Sequence, residues 1–249
     1  MAGHSKWKQI KRKKAVTDSR RASAWTKVIR EITVAAKAGG GDIGGNPRLR
    51  LAVDSARAVN MPKDNIERAI KKGTGELEGS SYEELTYEGY GPGGAAIFIE
   101  TLTDNPNRTV AEIRHAFSRN GGNLGASNSV AWMFDRKGQI YLDASRNDED
   151  ATLEAALDAG AEDFARDGDQ YVVTTPPNDL HAVQDALKAH RIEIDSAELA
   201  MVPKNTVRVE GADAERILRL MEALEELDDV SKVSSNFDID AAQLAGAEA

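Results

Sequence analysis

Between Asp18 and Ala38 the apolar residues recur at three- and four-residue intervals: Ala22, Trp25, Val28, Ile29, Ile32 and Ala36. That spacing puts them on one face of a helix. Thr17, Asp18 and Ser19 offer N-cap oxygens, and Gly39-Gly40-Gly41 ends the run. A second helix is predicted after Pro47, a residue suited to a first helical turn, with Leu49, Ala52, Val53, Ala56 and Val59 inward. A third opens at Pro62, turns Ile66, Ala69 and Ile70 inward, and closes at Gly73. Gly73–Ser81 reads as a linker.

Beyond it the pattern alternates between strand and helix. Ala95–Ile99 is a strongly apolar strand. Val110, Ile113 and Phe117 mark a helix ended by Gly121-Gly122. Val130–Phe134 and Gln139–Leu142 read as a strand pair turned at Asp135–Gly138. Leu153, Ala156 and Leu157 mark a helix, Tyr171–Val173 a strand, and Leu180, Val183 and Leu187 another helix. Ile192 to Met201 and Val207 to Val209 read as strands, Ile217, Met221 and Leu224 as a helix, and the region near Val233 as a last strand. Short helices with half-buried strands predict an α+β class: an N-terminal helical domain, then two ferredoxin-like α/β sandwiches. The first sandwich is short of helices, and the final strand–helix–strand is able to complete it. The expected domains are 1–78, then 79–134 plus 205–240, with 135–204 inserted and 241–249 as a disordered tail.

Composition adds one fact that the pattern hides. The 249-residue chain carries a net charge of −9. Residues 1–72 nevertheless hold 18 Lys/Arg against 6 Asp/Glu, leaving 14 against 35 in the remainder. Such asymmetry suggests a polyanion-binding module on an acidic body. The alternative is that the basic module docks on the acidic body and the charges pair internally. Cysteine is absent, which excludes disulfides, thiolate metal sites and a Cys nucleophile. No window approaches the roughly 18 apolar residues of a membrane span, and no apolar stretch follows the basic start as a secretory signal requires.

Catalytic chemistry finds little support. His4, His115, His181 and His190 lack metal-ligand spacing, and no phosphate-loop, zinc-protease or serine-hydrolase motif is present. Gly89–Gly94 formally matches G-x-G-x-x-G, but it runs into a strand where a dinucleotide site must open a helix. It reads as a turn. Thr103–Thr109, "TDNPNRT", follows a strand and opens a helix, so its backbone N–H groups and Arg108 suit an anion; plain capping by Asn105 or Asn107 is the alternative.

The basic arm is the most informative segment. His4–Lys14, "HSKWKQIKRKK", carries Lys6, Lys8, Lys11, Arg12, Lys13 and Lys14 and no acid. Its favourable partner is a phosphate backbone, and His4 and Trp7 suit stacking on an unpaired base; a solubilising tail or a nuclear-type import signal is the alternative. Arg20, Lys27 and Arg30 fall opposite the apolar face of the first helix, extending the arm as an outer stripe with Arg21 beside it. With Arg108 these are the expected nucleic-acid-binding residues.

The same arm, with "NPRLRLAVDSARAVNMPKDNIERAIKKGTGE", "YEGYGPGGAAIFIETLTDNPNRTVAEIRHAFSRNGGNLG" and "SVAWMFDRKG", resembles the YebC family. The resemblance implies three domains and a cytoplasmic, non-enzymatic protein; no cofactor, metal or small-molecule substrate is expected. Family members are described both as DNA-binding transcriptional regulators and as ribosome-associated translation factors that aid synthesis through proline-rich stretches. The expected partner is thus nucleic acid, as ribosomal RNA or as duplex DNA, with no membrane, for a protein expected to act as a monomer. A flexible basic arm on an acidic body favours the ribosomal reading.

Overall fold

The computed structural model describes residues 18–79 and 81–240, with side chains from Ser23 onward. The arm His4–Lys14 and the expected tail 241–249 lie outside the described residues.

Three helices come first: α1 (Asp18–Gly39), α2 (Pro47–Ala58) and α3 (Lys63–Gly73). Their inward stripes meet in one cluster containing Ile32, Ala35, Leu49, Val53, Ala56, Met61 and Ile66. Asn46 fixes the connection between α1 and α2. Its Oδ1 accepts from the Leu49 N–H at 3.1 Å, and its Nδ2 donates to the carbonyls of Ala35 and Gly40 at 2.8 and 2.9 Å. Gly73 ends α3 where that helix crosses α1; a Cβ there would stand 2.4 Å from the Thr33 carbonyl oxygen.

Next comes a hairpin, β1 (Glu83–Tyr90) and β2 (Ala96–Thr103), followed by α4 (Pro106–Arg119) and the two-residue β3 (Asn123–Leu124). The chain returns to this sheet only near its end, through β8 (Val207–Arg208), α7 (Gly211–Glu226), β9 (Val230–Ser235) and β10 (Phe237–Asp238). The sheet order is β3-β1-β2-β9, with antiparallel neighbours throughout. Ile97 and Ile99 of β2 pack with Ile113 and Phe117 of α4 and Ile217 and Met221 of α7. The alternate residues Ala96 and Phe98 face the other way, onto Val130 and Phe134. Burial on both faces explains why the first half of β2, Ala96–Ile99, is apolar throughout.

The intervening chain builds its own sheet from β4 (Phe134–Asp143), α5 (Glu149–Asp158), β5 (Asp163–Asp167), β6 (Gln170–Thr175), α6 (Leu180–Ala189) and β7 (Ser196–Pro203). Its βαββαβ sequence and β5-β6-β4-β7 order are the ferredoxin-like arrangement. The other sheet has the same alternation of strand directions, reached through a hairpin, a helix and a late return of the chain.

Three details differ from the sequence reading. Glu83–Tyr90 is a full strand although it is mostly polar, because its outer face is solvated. Residues 130–142 are no hairpin: Ala131–Met133 forms a 3-10 turn and Phe134–Asp143 is one strand. Gly138 serves close packing rather than a turn, since a Cβ there would stand 2.3 Å from Thr175 Oγ1 and 3.0 Å from Leu180. Ile192 and Ile194 precede the strand β7 rather than belonging to it.

Candidate nucleic-acid interface

Of the thirteen residues expected to meet nucleic acid, His4, Lys6, Trp7, Lys8, Lys11, Arg12, Lys13 and Lys14 lie outside the described residues. Arg20 and Arg21 lie in the first turn of α1, and their side chains are outside the described part. Lys27, Arg30 and Arg108 are placed in detail, and none stands on an open outer stripe.

Lys27 Nζ donates to the carbonyl of Glu225, at the end of α7. Arg30 Nη1 donates to the carbonyls of Asp228 at 2.8 Å and Leu102 at 3.1 Å, and pairs with the Asp229 carboxylate. The Arg30 side chain is only 12 % exposed. The position expected for these two is therefore corrected. The side of α1 opposite its apolar stripe is a second packing surface, onto which the acidic segment Glu225–Asp229 docks.

Arg108 belongs to the same junction. Its guanidinium meets Asp229 Oδ2 at 2.7 Å and Asp104 Oδ1 at 2.9 Å. Thr109 Oγ1 also donates to Asp229 Oδ2, at 2.7 Å, and Thr103 Oγ1 lies 3.2 Å from it. At this helix start the side chains of Arg108 and Thr109 meet the chain's own Asp229. Asn105 caps α4 as well, accepting from the Arg108 N–H at 3.1 Å. Burial pushes the Asp229 carboxyl up, but hydrogen bonds from Arg108, Thr109 and Arg30 outweigh it and hold the group below the ordinary carboxylate range. Those bonds to Asp229, with one to Asp104, push the Arg108 guanidinium up.

Further cations of the helical unit are paired. Arg48 bridges Glu31 and Glu84, both at 2.8 Å, and Arg50 reaches Asp185 on α6 at 2.5 Å. Burial works against the Arg48 charge, and the two glutamates reverse that and push its pKa up. Arg68, Lys71 and Lys72 on α3 remain at the surface. Between the three units lies a cleft of about 650 Å³ with charged walls, among them Glu100, Arg136, Glu198 and Lys232. Burial raises the Glu100 pKa, while Lys232 and Arg136 act to lower it.

Among the described residues no group of three His, Asp or Glu has the geometry to hold a metal, and no helix is long and apolar enough to cross a membrane. Gly89–Gly94 is the tip of the β1–β2 hairpin, with the Gly91 N–H donating to the Ala95 carbonyl. Sequence reasoning missed Trp132. Its run Val130–Phe134 read as a strand, yet Ala131–Met133 is a 3-10 turn and Trp132 is 63 % exposed.

Comparison with known proteins places this architecture. Residues 5–76 match the family model described as the TACO1/YebC protein N-terminal domain, and residues 82–237 match the TACO1/YebC second and third domain. A "Probable transcriptional regulatory protein" of Gemmatimonas aurantiaca is 61% identical over 247 residues, covering 99% of this chain and 100% of that protein. One of Acidithiobacillus ferrooxidans bearing the same description is 57% identical, over 100% of this chain and 99% of its own. The crystal structure of the conserved hypothetical protein Aq1575 from Aquifex aeolicus superposes with a TM-score of 0.85 at 45% identity, covering 92% of this chain and 94% of that one.

Proposed function

The chain belongs to the TACO1/YebC family, and on that premise we propose that it is a non-enzymatic regulator of gene expression that binds nucleic acid through its basic N-terminal arm. The finer reading is a cytoplasmic, ribosome-associated translation factor that meets ribosomal RNA and aids synthesis through proline-rich stretches. One observation carries it. Lys27, Arg30 and Arg108 are engaged by the acidic segment Glu225–Asp229 and by Asp104. Of the cations expected to meet nucleic acid, this leaves the phosphate-binding role to Lys6, Lys8, Lys11, Arg12, Lys13 and Lys14, with Arg20 and Arg21 at the start of α1, beside the exposed Arg68, Lys71 and Lys72 on α3.

A short arm ahead of a strongly acidic body suits insertion into an RNA surface better than wrapping along a duplex, which the body would repel. The docked helical unit then acts as the arm's base, and the division 1–78, 79–134 plus 205–240, and 135–204 supplies the three domains. The second reading, a DNA-binding transcriptional regulator, is favoured by the printed description of the relatives.

Competition separates the two. Binding to purified ribosomes and to duplex DNA is measured across a salt series. Tight ribosome binding, with DNA binding that is steeply salt-dependent and indifferent to sequence, supports the translation factor. Sequence-selective duplex binding at physiological salt overturns it in favour of the transcriptional regulator.

A further inference from the structure

We infer that Trp132 and Tyr90 form a stacking platform for an unpaired nucleobase, set at the crossing from the middle sheet into the inserted one. The inference deepens the nucleic-acid reading above and rests on it.

The two aromatics converge on one atom. Trp132 Nε1 donates to the Ser129 carbonyl at 3.1 Å, and Tyr90 Oη donates to the same oxygen at 3.0 Å. Both polar handles are thereby satisfied within the chain. What remains for a partner is ring surface, in an indole 63 % exposed and a phenol 37 % exposed.

The loop beneath is held firmly. Glu88, only 4 % exposed, accepts from the backbone N–H groups of Asn128, Val130 and Ala131, each at 2.7 Å. The Glu88 carbonyl accepts from the Gly125 N–H at 2.7 Å. Asn128 adopts φ +64°, a left-handed conformation that costs a non-glycine residue energy. Val130 and Phe134 on either side are buried against Phe98. A buried carboxylate thus holds in place a loop whose largest side chain faces solvent. Rigid presentation lowers the ordering cost of binding.

The occupant follows from size. A stable protein interface needs about 800 Å² per partner, far more than two rings expose, whereas one or two bases match them. Stacking needs no edge-specific hydrogen bond, so it tolerates any base. Lys204 closes the rim: its Nζ donates to the Trp132 carbonyl at 3.0 Å and lies 3.2 Å from Asp135.

The test uses the full chain and fluorescence anisotropy with labelled single-stranded RNA, single-stranded DNA and duplex DNA over a salt series. Trp132→Leu is expected to weaken single-strand binding roughly tenfold, to leave the salt slope and duplex binding unchanged, and to be largely restored by Trp132→Phe. Weakened binding of the RNA strand, the DNA strand or both supports the platform and names the strand it holds. Single-strand binding unchanged in Trp132→Leu overturns the platform. So does an equal weakening on duplex DNA, which offers no unstacked base. The function itself is judged separately by Lys11→Ala/Arg12→Ala/Lys13→Ala/Lys14→Ala. If Trp132→Leu is silent while this arm variant weakens binding, the platform alone fails. If the native chain binds no nucleic acid at low salt, both readings fail.

Discussion

Removing the Asp229 carboxylate should undo the junction between the helical unit and the rest of the chain. The Asp229 side chain is 2 % exposed and collects Arg30, Arg108, Thr103 and Thr109. In Asp229→Ala, Arg30 keeps its buried position, at 12 % exposure, and loses its counter-charge. Breaking a buried pair from one side typically costs about 3–5 kcal/mol. Arg108 is 42 % exposed and rehydrates, so the expected loss is smaller, about 2–4 kcal/mol. For a chain of this size that is a fall in melting temperature of roughly 5–15 °C, read by circular dichroism. Adding Arg30→Met should recover part of the loss, because no unpaired buried charge then remains.

The pH dependence has a fixed sign. The folded-state pKa of Asp229 is depressed, so its contribution is complete above the ordinary aspartate value of about 3.9 and fades as pH falls below it. Asp229→Ala should therefore flatten the acid limb of the stability profile. A loss under about 1 kcal/mol, or an unchanged acid limb, would refute the view that this carboxylate joins the units.

Three further outcomes follow from the packing. Glu88→Gln deprives all three backbone donors of an anionic acceptor and at least one of any side-chain acceptor, at a cost of about 1–3 kcal/mol, and should speed amide exchange at Asn128, Val130 and Ala131 in hydrogen-exchange mass spectrometry. Gly138→Ala puts a methyl group 2.3 Å from Thr175 Oγ1 and should lower the urea midpoint by the equivalent of about 1–3 kcal/mol. Asn46→Ala removes the α2 cap and the bonds to the Ala35 carbonyl of α1 and to Gly40 just beyond it, and should destabilise the helical unit by about 1–3 kcal/mol, seen as faster proteolysis within residues 39–47.

The helices were the most legible part of this fold, because three-residue and four-residue periods survive whatever packs outside them. The late return of the chain to the middle sheet was legible too, since 206–238 carried the helix and strand that 82–134 lacked. β1 was hidden because only one side of "EELTYEGY" meets the core, and its charged side resembles a linker. At Lys27 and Arg30 a helical wheel gives direction but not what lies in that direction. Their partner was in plain view as the acidic run Glu225, Glu226, Asp228 and Asp229, yet pairing it with α1 needed the third dimension. Trp132 was misplaced for a similar reason. In "VAWMF" the apolar run reads as a strand, and the Glu88-anchored turn leaves Trp132 exposed between buried Val130 and Phe134.

The most direct test of the account is the salt dependence of ribosome binding by the native chain and by Lys11→Ala/Arg12→Ala/Lys13→Ala/Lys14→Ala. Removing one cation that neutralises a phosphate should lower the slope of log K against log salt by about 1. The account predicts weaker binding and a slope shallower by up to about 4, with Arg30→Ala changing stability but not that slope. Native affinity and slope in the arm variant, or a slope that falls with Arg30→Ala instead, would contradict it.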